Sequence, residues 1–266
     1  VGGMKQRRPI LFPIFCGLVY AFLLAPILVV VAASFSAGAF LAFPPQGLSL
    51  RWYEAFFANE VFVTAIWTSL QVATIATVVS AAIGTAAALY HARHAGRSKE
   101  AIRIAVLAPL LLPEVLTAIA LLFFFYAIGI GTRNLVALVT GHVLITLPFV
   151  FMNVSASLQG FDRSWELAAR SLGARPWRVF VRITLPLIKP GLIGGCLFAF
   201  IISFDTFAIS FLLKDVGTST LPIQLFDYLR LNFTPEAAAV STISIVMTLL
   251  VVVVTEKVLG LKIQRF

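Results

Sequence analysis

Six long apolar runs, separated by short polar gaps, set the rhythm of the chain: Pro9 to Ser34, Val61 to Tyr90, Ile104 to Ile128, Leu135 to Val154, Gly191 to Leu213 and Ala237 to Val254. A helix needs about 20 apolar residues to cross about 30 Å of hydrocarbon. Each run therefore predicts a membrane-spanning helix. Pro109 and Pro113 interrupt the third run, and Pro148 lies near the end of the fourth. Prolines there predict broken helices, tolerated where they line a cavity that neighbouring chains or water can reach. The gaps are a loop from Ser36 to Glu60, a basic segment from His91 to Arg103, a tight turn from Gly129 to Asn134 and a mixed loop from Lys214 to Pro235. Within the first gap, Leu48 to Phe57 is amphipathic, and Trp52, Tyr53, Phe56 and Phe57 suit a helix lying at the membrane interface. Small residues crowd the second span (Ala81, Ala82, Gly84, Ala86, Ala87, Ala88) and predict close helix packing.

The longest polar interval, Asp162 to Pro190, interrupts this pattern. It reads as two short helices around a glycine. Asp162 or Ser164 caps the first. Trp165, Ala168, Ala169 and Leu172 recur at i, i+3, i+4 and i+7 and make one apolar face. Arg163, Glu166 and Arg170 share the other, with Glu166 and Arg170 at the spacing of a favourable pair. Gly173 ends the helix in a left-handed conformation, Pro176 opens a second helix, and Leu185-Pro186 closes it. Trp177 and Phe180 face one way on that second helix; Arg175, Arg178 and Arg182 face the other. A loop that only oriented the protein in the membrane would need charge, not two amphipathic faces with a glycine at the joint.

This interval resembles the EAA coupling loop of ABC importer permeases. That pattern is E-A-A, three residues, Gly, nine residues, then I-x-L-P; here Ala168-Ala169, Gly173 and Ile183-Thr184-Leu185-Pro186 keep the spacing. The motif's acid falls on Leu167, and Glu166 lies one residue early. The resemblance extends from Trp52-Tyr53 through the last apolar run and points to the polyamine (spermidine/putrescine) branch. It implies an all-α integral membrane protein of six transmembrane helices, with a MetI-like five-helix core and a cytoplasmic helix-turn-helix coupling loop. Residues 1–60 would hold a peripheral first span and its loop, 61–258 the permease domain with the coupling loop at 160–190, and 259–266 a tail. The implied partners are a second permease half, related or identical, two ABC ATPase subunits and an extracytoplasmic substrate-binding protein. Glu166, Leu167, Ala168, Ala169, Arg170, Gly173 and Ala174 would form the contact with the ATPase.

Composition agrees with a membrane protein: 266 residues, 60% hydrophobic and 12% charged. The net charge of +9 is no sign of nucleic acid, because the cations sit in the short gaps where topology explains them. The basic head Met4 to Arg8, the 91–103 gap, the coupling loop and the tail hold nearly all of them. Arg51, Arg133, Lys214 and Arg230 lie on the other side. With six spans, this asymmetry places both termini and the coupling loop in the cytoplasm of a bacterial inner membrane protein. The first run is too long for a signal-peptide core and lacks a small-residue cleavage site, so it reads as an uncleaved span; Val1 to Gly3, ahead of Met4, are set aside as an alternative start.

No G-x-x-x-x-G-K-[ST], H-E-x-x-H or G-x-S-x-G occurs. The chain is expected to bind no cofactor of its own and to be no enzyme, with ATP and Mg held by the partner ATPase. Cys16 and Cys196 lie within apolar runs and predict neither disulfide nor metal site.

Two acids fall inside apolar runs. Asp205 lies about 20 Å into the fifth span, counted from Gly191, with Ser203 and Thr206 beside it. Glu114 follows Pro113 in the third. A charge at that depth needs a partner or a wet cavity. Both acids, with Ser203 and Thr206, are candidates for the substrate pathway, and a structural role stays open for each. His142 lacks a second ligand at metal spacing and reads as a satisfied core histidine. His91 and His94 read as interfacial, and Trp67, Ser69 and Gln71 as vestibule or aromatic-belt residues. The expected function is import of a small organic solute, foremost a polyamine. The alternatives are an amino acid or opine-type importer permease, an ion-coupled carrier working alone, and a non-transporting scaffold.

Overall fold

A computed structural model describes residues 11–94, 96–132, 135–160, 162–215 and 218–259. The basic head, Arg133, Asn134 and the tail cations Lys262 and Arg265 lie outside them. All regular elements among the described residues are helical: α1 (Leu11–Ser34), α2 (Arg51–Ala58), α3 (Glu60–Arg93), α4 (Arg97–Leu111), α5 (Glu114–Ala127), α6 (Leu135–Gln159), α7 (Ser164–Ser171), α8 (Pro176–Val179), a π-helical turn (Phe180–Thr184), α9 (Leu185–Asp205), α10 (Ala208–Leu213), α11 (Leu221–Leu229) and α12 (Pro235–Leu259). Five stretches are long and apolar enough to cross a membrane: α1, α3, α6, the continuous Pro176–Asp205 helix and α12. α4 and α5 make a sixth only if the two arms count as one span, because they bend by 109°.

Proline chemistry explains where the helices differ from the sequence reading. The third apolar run is not one rod. Leu112 precedes Pro113 and is extended (φ −98°, ψ 143°), as the ring of a following proline demands. Pro186, expected to close the second coupling helix, closes nothing. The π turn places the Leu185 N–H on the Phe180 carbonyl, and the widened turn carries the chain into α9 past a residue that cannot donate. The fifth span therefore begins inside the coupling loop. It also breaks at Thr206, which is extended, before α10 resumes. The mixed loop hides a helix, α11, whose first N–H, on Leu221, is satisfied by Ser69 Oγ at 2.8 Å.

The chain forms two compact units. One comprises the residues up to Glu60 with Asp227–Met247; the other comprises Val61–Phe226 with the residues from Thr248 onward. In the first, Tyr53 Oη meets Ser34 Oγ at 2.6 Å, and Trp52 Nε1 donates to the Ser36 carbonyl. These bonds lash the amphipathic α2 to the end of α1, which is otherwise exposed along nearly its whole length. In the second, α6 and α9 pack against each other over most of their length around Val150, Val154, Ile188 and Ala199, all fully buried. They approach so closely that a Cβ on Gly191 would overlap Ser157 Oγ and the Asn153 carbonyl oxygen. A second core gathers Val72, Ala118, Leu138 and Ile209 from α3, α5, α6 and α10. Of the small residues of α3 expected to pack closely, Gly84 and Ala88 are buried and Ala81 and Ala87 half-buried, whereas Ala82 and Ala86 are exposed; Ala73, Ala76 and Ser80 are buried beside them.

Candidate functional site

The coupling segment is built by local signals. Asp162 Oδ1 accepts the Ser164 N–H at 2.9 Å, and this donor holds the exposed Asp162 carboxyl below the usual carboxylate range. At the other end of α7, Gly173 takes φ +83°. Its N–H meets the Arg170 carbonyl, and the Ala174 N–H meets that of Ala169. This paired closure satisfies two carbonyls that a helix end otherwise leaves free.

The faces of α7 are inverted relative to an ordinary surface helix. Glu166 is 4% exposed, whereas Trp165 is 55%, Leu167 63% and Leu172 89% exposed. Ala168 and Arg170 are exposed too, and Ala169 and Ala174 half-buried. The acid is not paired with Arg170, as its spacing predicts. Arg93 Nη2, at the end of α3, lies 2.5 Å from Glu166 Oε1, and Thr184 Oγ1 in the π turn donates to the same oxygen. A buried carboxylate requires such partners; a half-turn of rotation toward solvent would cost Arg93 and Thr184 their shared acceptor and leave only the 3.4 Å contact between them. One carboxylate oxygen thus ties together α3, α7 and the entry to α9. Most of the apolar face stays exposed among the described residues, outside any span.

The second candidate site lies where two helix breaks meet. Glu114 opens α5. Its Oε1 accepts the Thr206 hydroxyl and lies 3.4 Å from the Ile209 N–H, so it satisfies donors freed by the break between α9 and α10. Ser203 is buried against His142, whose Nδ1 lies 2.7 Å from Ser203 Oγ and whose Nε2 lies 3.0 Å from Ser210 Oγ. His142 on α6 therefore staples α9 to α10 across the break, a satisfied core histidine with both ring nitrogens engaged. Ser210 Oγ donates on to the Thr206 carbonyl. The four pathway candidates are brought together but differ in kind. Glu114, Thr206 and Ser203 are held by partners, whereas Asp205, the last residue of α9, is exposed and makes no hydrogen bond or ion pair among the described residues.

Sequence reading missed Arg93 and Thr184 as partners of Glu166. A faint signal exists for Arg93: α3 has 34 residues, about 51 Å, well beyond the hydrocarbon thickness, so its end had to reach something outside the membrane.

Residues 80–260 match the family model described as "Binding-protein-dependent transport system inner membrane component". A spermidine/putrescine transport system permease protein, PotC of Haemophilus influenzae, is 33% identical over 91% of this chain and 93% of its own. The putrescine transport system permease protein PotI of Escherichia coli is 35% identical over 84% of this chain and 82% of its own. Among solved structures, a chain of a bacterial alginate ABC transporter, in complex with its pentasaccharide-bound periplasmic protein, superposes with a TM-score of 0.73 at 16% identity, covering 93% of each chain. At that identity the likeness concerns the fold.

Proposed function

The chain belongs to the family of inner membrane components of binding-protein-dependent transport systems, and from that premise we propose that it forms half of the translocation pathway of an ATP-driven importer of polyamines. Relatives that share a third of its residues over nearly their whole length are spermidine/putrescine and putrescine permeases. The observation that carries the reading is the inverted α7: a helix outside the spans that buries its acid and exposes Trp165, Leu167 and Leu172 is built to be covered by another protein. The partner that fits is an ABC ATPase subunit, one under each permease half, with a substrate-binding protein on the opposite face.

The mechanism follows from the knot at Glu166. Closing of the ATPase dimer on ATP moves α7. The Arg93–Glu166–Thr184 contacts pass that displacement to α3 and α9 together, two long rods that a bilayer permits to tilt but not to bend freely. The far end of α9 carries Asp205, so the motor's stroke reaches the one uncompensated carboxylate in the apolar run. ATP and substrate must favour different orientations of the two halves, because a ligand that binds both states equally shifts nothing. Asp205 replaces part of the hydration that an ammonium loses on entering the cavity. Both termini lie in the cytoplasm.

Family membership speaks against a carrier working alone and against a scaffold. An amino acid or opine importer remains the competing substrate class, since selectivity also resides in the binding protein. The test is purification of the membrane complex in mild detergent, reconstitution with its cognate binding protein, and uptake of labelled spermidine, putrescine and an amino acid panel with and without ATP. ATP-dependent accumulation of a polyamine supports the reading. Purification of an active chain without any ATPase, or uptake confined to amino acids, overturns it.

A further inference from the structure

α9 has two faces. Ile188, Gly195, Ala199 and Ser203 are buried, whereas Leu187, Phe198 and Asp205 are exposed, with Ile201 half-exposed between the last two. A carboxylate inside an apolar run does not face hydrocarbon without a large penalty. Asp205 therefore fixes which way the exposed face points: into the wet pathway. Phe198 shares that orientation. It precedes Asp205 by seven residues, two helical turns, which puts the two side chains within about 20° of each other and about 10.5 Å apart along the helix.

Phe198 is also built as a platform. Phe149, from α6, stacks on it with ring centroids 6.4 Å apart and an interplanar angle of 25°, yet Phe198 stays 50% exposed. Phe149 holds the ring from one side while half of the side chain stays open. An open aromatic face attracts a cation through its quadrupole, most strongly where water is scarce. Gly194, one turn further on, adds no side chain to crowd the approach.

We infer that Phe198, backed by Phe149, is a second cation station two turns from Asp205, and that the pair reads the length of a linear polyamine. This rests on the polyamine reading above. An extended triamine such as spermidine reaches both stations at once, one terminal ammonium at the carboxylate and the other over the ring. The diamine putrescine, little more than half as long, engages one at a time. Phe198 thereby favours the longer substrate during passage, independently of any preference in the binding protein.

The experiment uses the intact complex with its binding protein in vesicles and compares initial uptake of labelled spermidine and putrescine at saturating binding protein. Phe198→Leu keeps an apolar side chain and removes the quadrupole; Phe198→Tyr keeps both ring and quadrupole. Leucine is expected to lower the spermidine-to-putrescine uptake ratio about five-fold or more, slowing spermidine far more than putrescine, and tyrosine to restore that ratio. A spermidine-to-putrescine ratio unchanged in Phe198→Leu, or an equal fall in both rates, overturns the length-reading role and leaves the substrate assignment intact. A wild-type complex that carries neither amine removes the substrate assignment and this station with it.

Discussion

Arg93 and Glu166 stand 73 positions apart in sequence, and Nη2 of the first lies 2.5 Å from Oε1 of the second. The pair joins the end of a membrane rod to a short helix outside it. Its partners are unequally buried, the Glu166 side chain 6% exposed and that of Arg93 26%, so loss of the acid leaves a partly hydrated guanidinium rather than a fully buried one.

Glu166→Ala is therefore expected to destabilise the purified complex by about 1–3 kcal/mol and to lower transport more than ATP hydrolysis. A motif offset by one residue would argue for a mild effect, but the inward position of the side chain argues otherwise. Glu166→Gln, which still accepts from Thr184, should fall between. Thermal unfolding of Arg93→Ala, Glu166→Ala and the double variant checks the pairing: the double variant should lose little beyond either single one, and fully additive losses would count against a working pair.

Gly173→Val should cost about 1–2 kcal/mol locally, because a β-branched residue resists φ +83°. The cost is purely conformational, since a Cβ at Gly173 meets nothing within 4 Å. Gly173→Asn should then be nearly silent, as asparagine tolerates the left-handed region. Membrane yield is expected to stay normal for both while ATPase co-purification falls for valine. Equal behaviour of the two variants would contradict this account of the joint.

Asp205 and Glu114 should separate cleanly. Asp205→Asn is expected to lower polyamine uptake at least several-fold while the complex and its basal ATP hydrolysis persist. Glu114→Ala should reduce the yield of folded complex instead, because it strips the Thr206 hydroxyl and the Ile209 N–H of their acceptor; Glu114→Gln keeps an acceptor oxygen and should be milder. Uptake assays run beside size-exclusion yield distinguish the two. Wild-type uptake in Asp205→Asn would remove the case for a charged contact in the pathway.

Gly191→Ala should destabilise by about 1–3 kcal/mol through overpacking of α9 on α6. The same substitution at Gly194, where the nearest atom is Asn153 Oδ1 at 3.4 Å, should be tolerated. Relative melting temperatures of the two variants in detergent give the answer, and indifference at Gly191 would show that the helices can part.

Local signals were legible in the sequence and non-local ones were not. The Asp162 bond to the Ser164 N–H just ahead of α7, the Gly173 turn and the Pro176 start each depend on residues within one turn, so spacing alone announces them closely. The cap residue of α7 itself is Arg163 rather than Asp162 or Ser164. The stop at Leu185-Pro186 was misread because a proline's effect depends on the turn that receives it: here a π turn, elsewhere a kink. α11 went unseen because its nine residues fall in a charge-mixed gap, and the hydroxyl that satisfies its first N–H, on Ser69, is 152 positions away. Glu114 and Asp205 looked alike as intramembrane acids. Only the fold reveals that one is a hydrogen-bonded acceptor at a helix break and the other an open charge.

The π turn at Phe180–Thr184 has a further consequence for α9. It inserts one surplus residue into an otherwise regular screw, and every position downstream inherits the phase offset. Closing the same residues as ordinary α-helix, with none deleted, would swing Asp205 and Phe198 round the axis by about 100°, whereas deleting the surplus residue would keep their phase. The angular phase between the end that meets the motor and the end that meets the solute is thus set by a count of residues rather than by any one side chain.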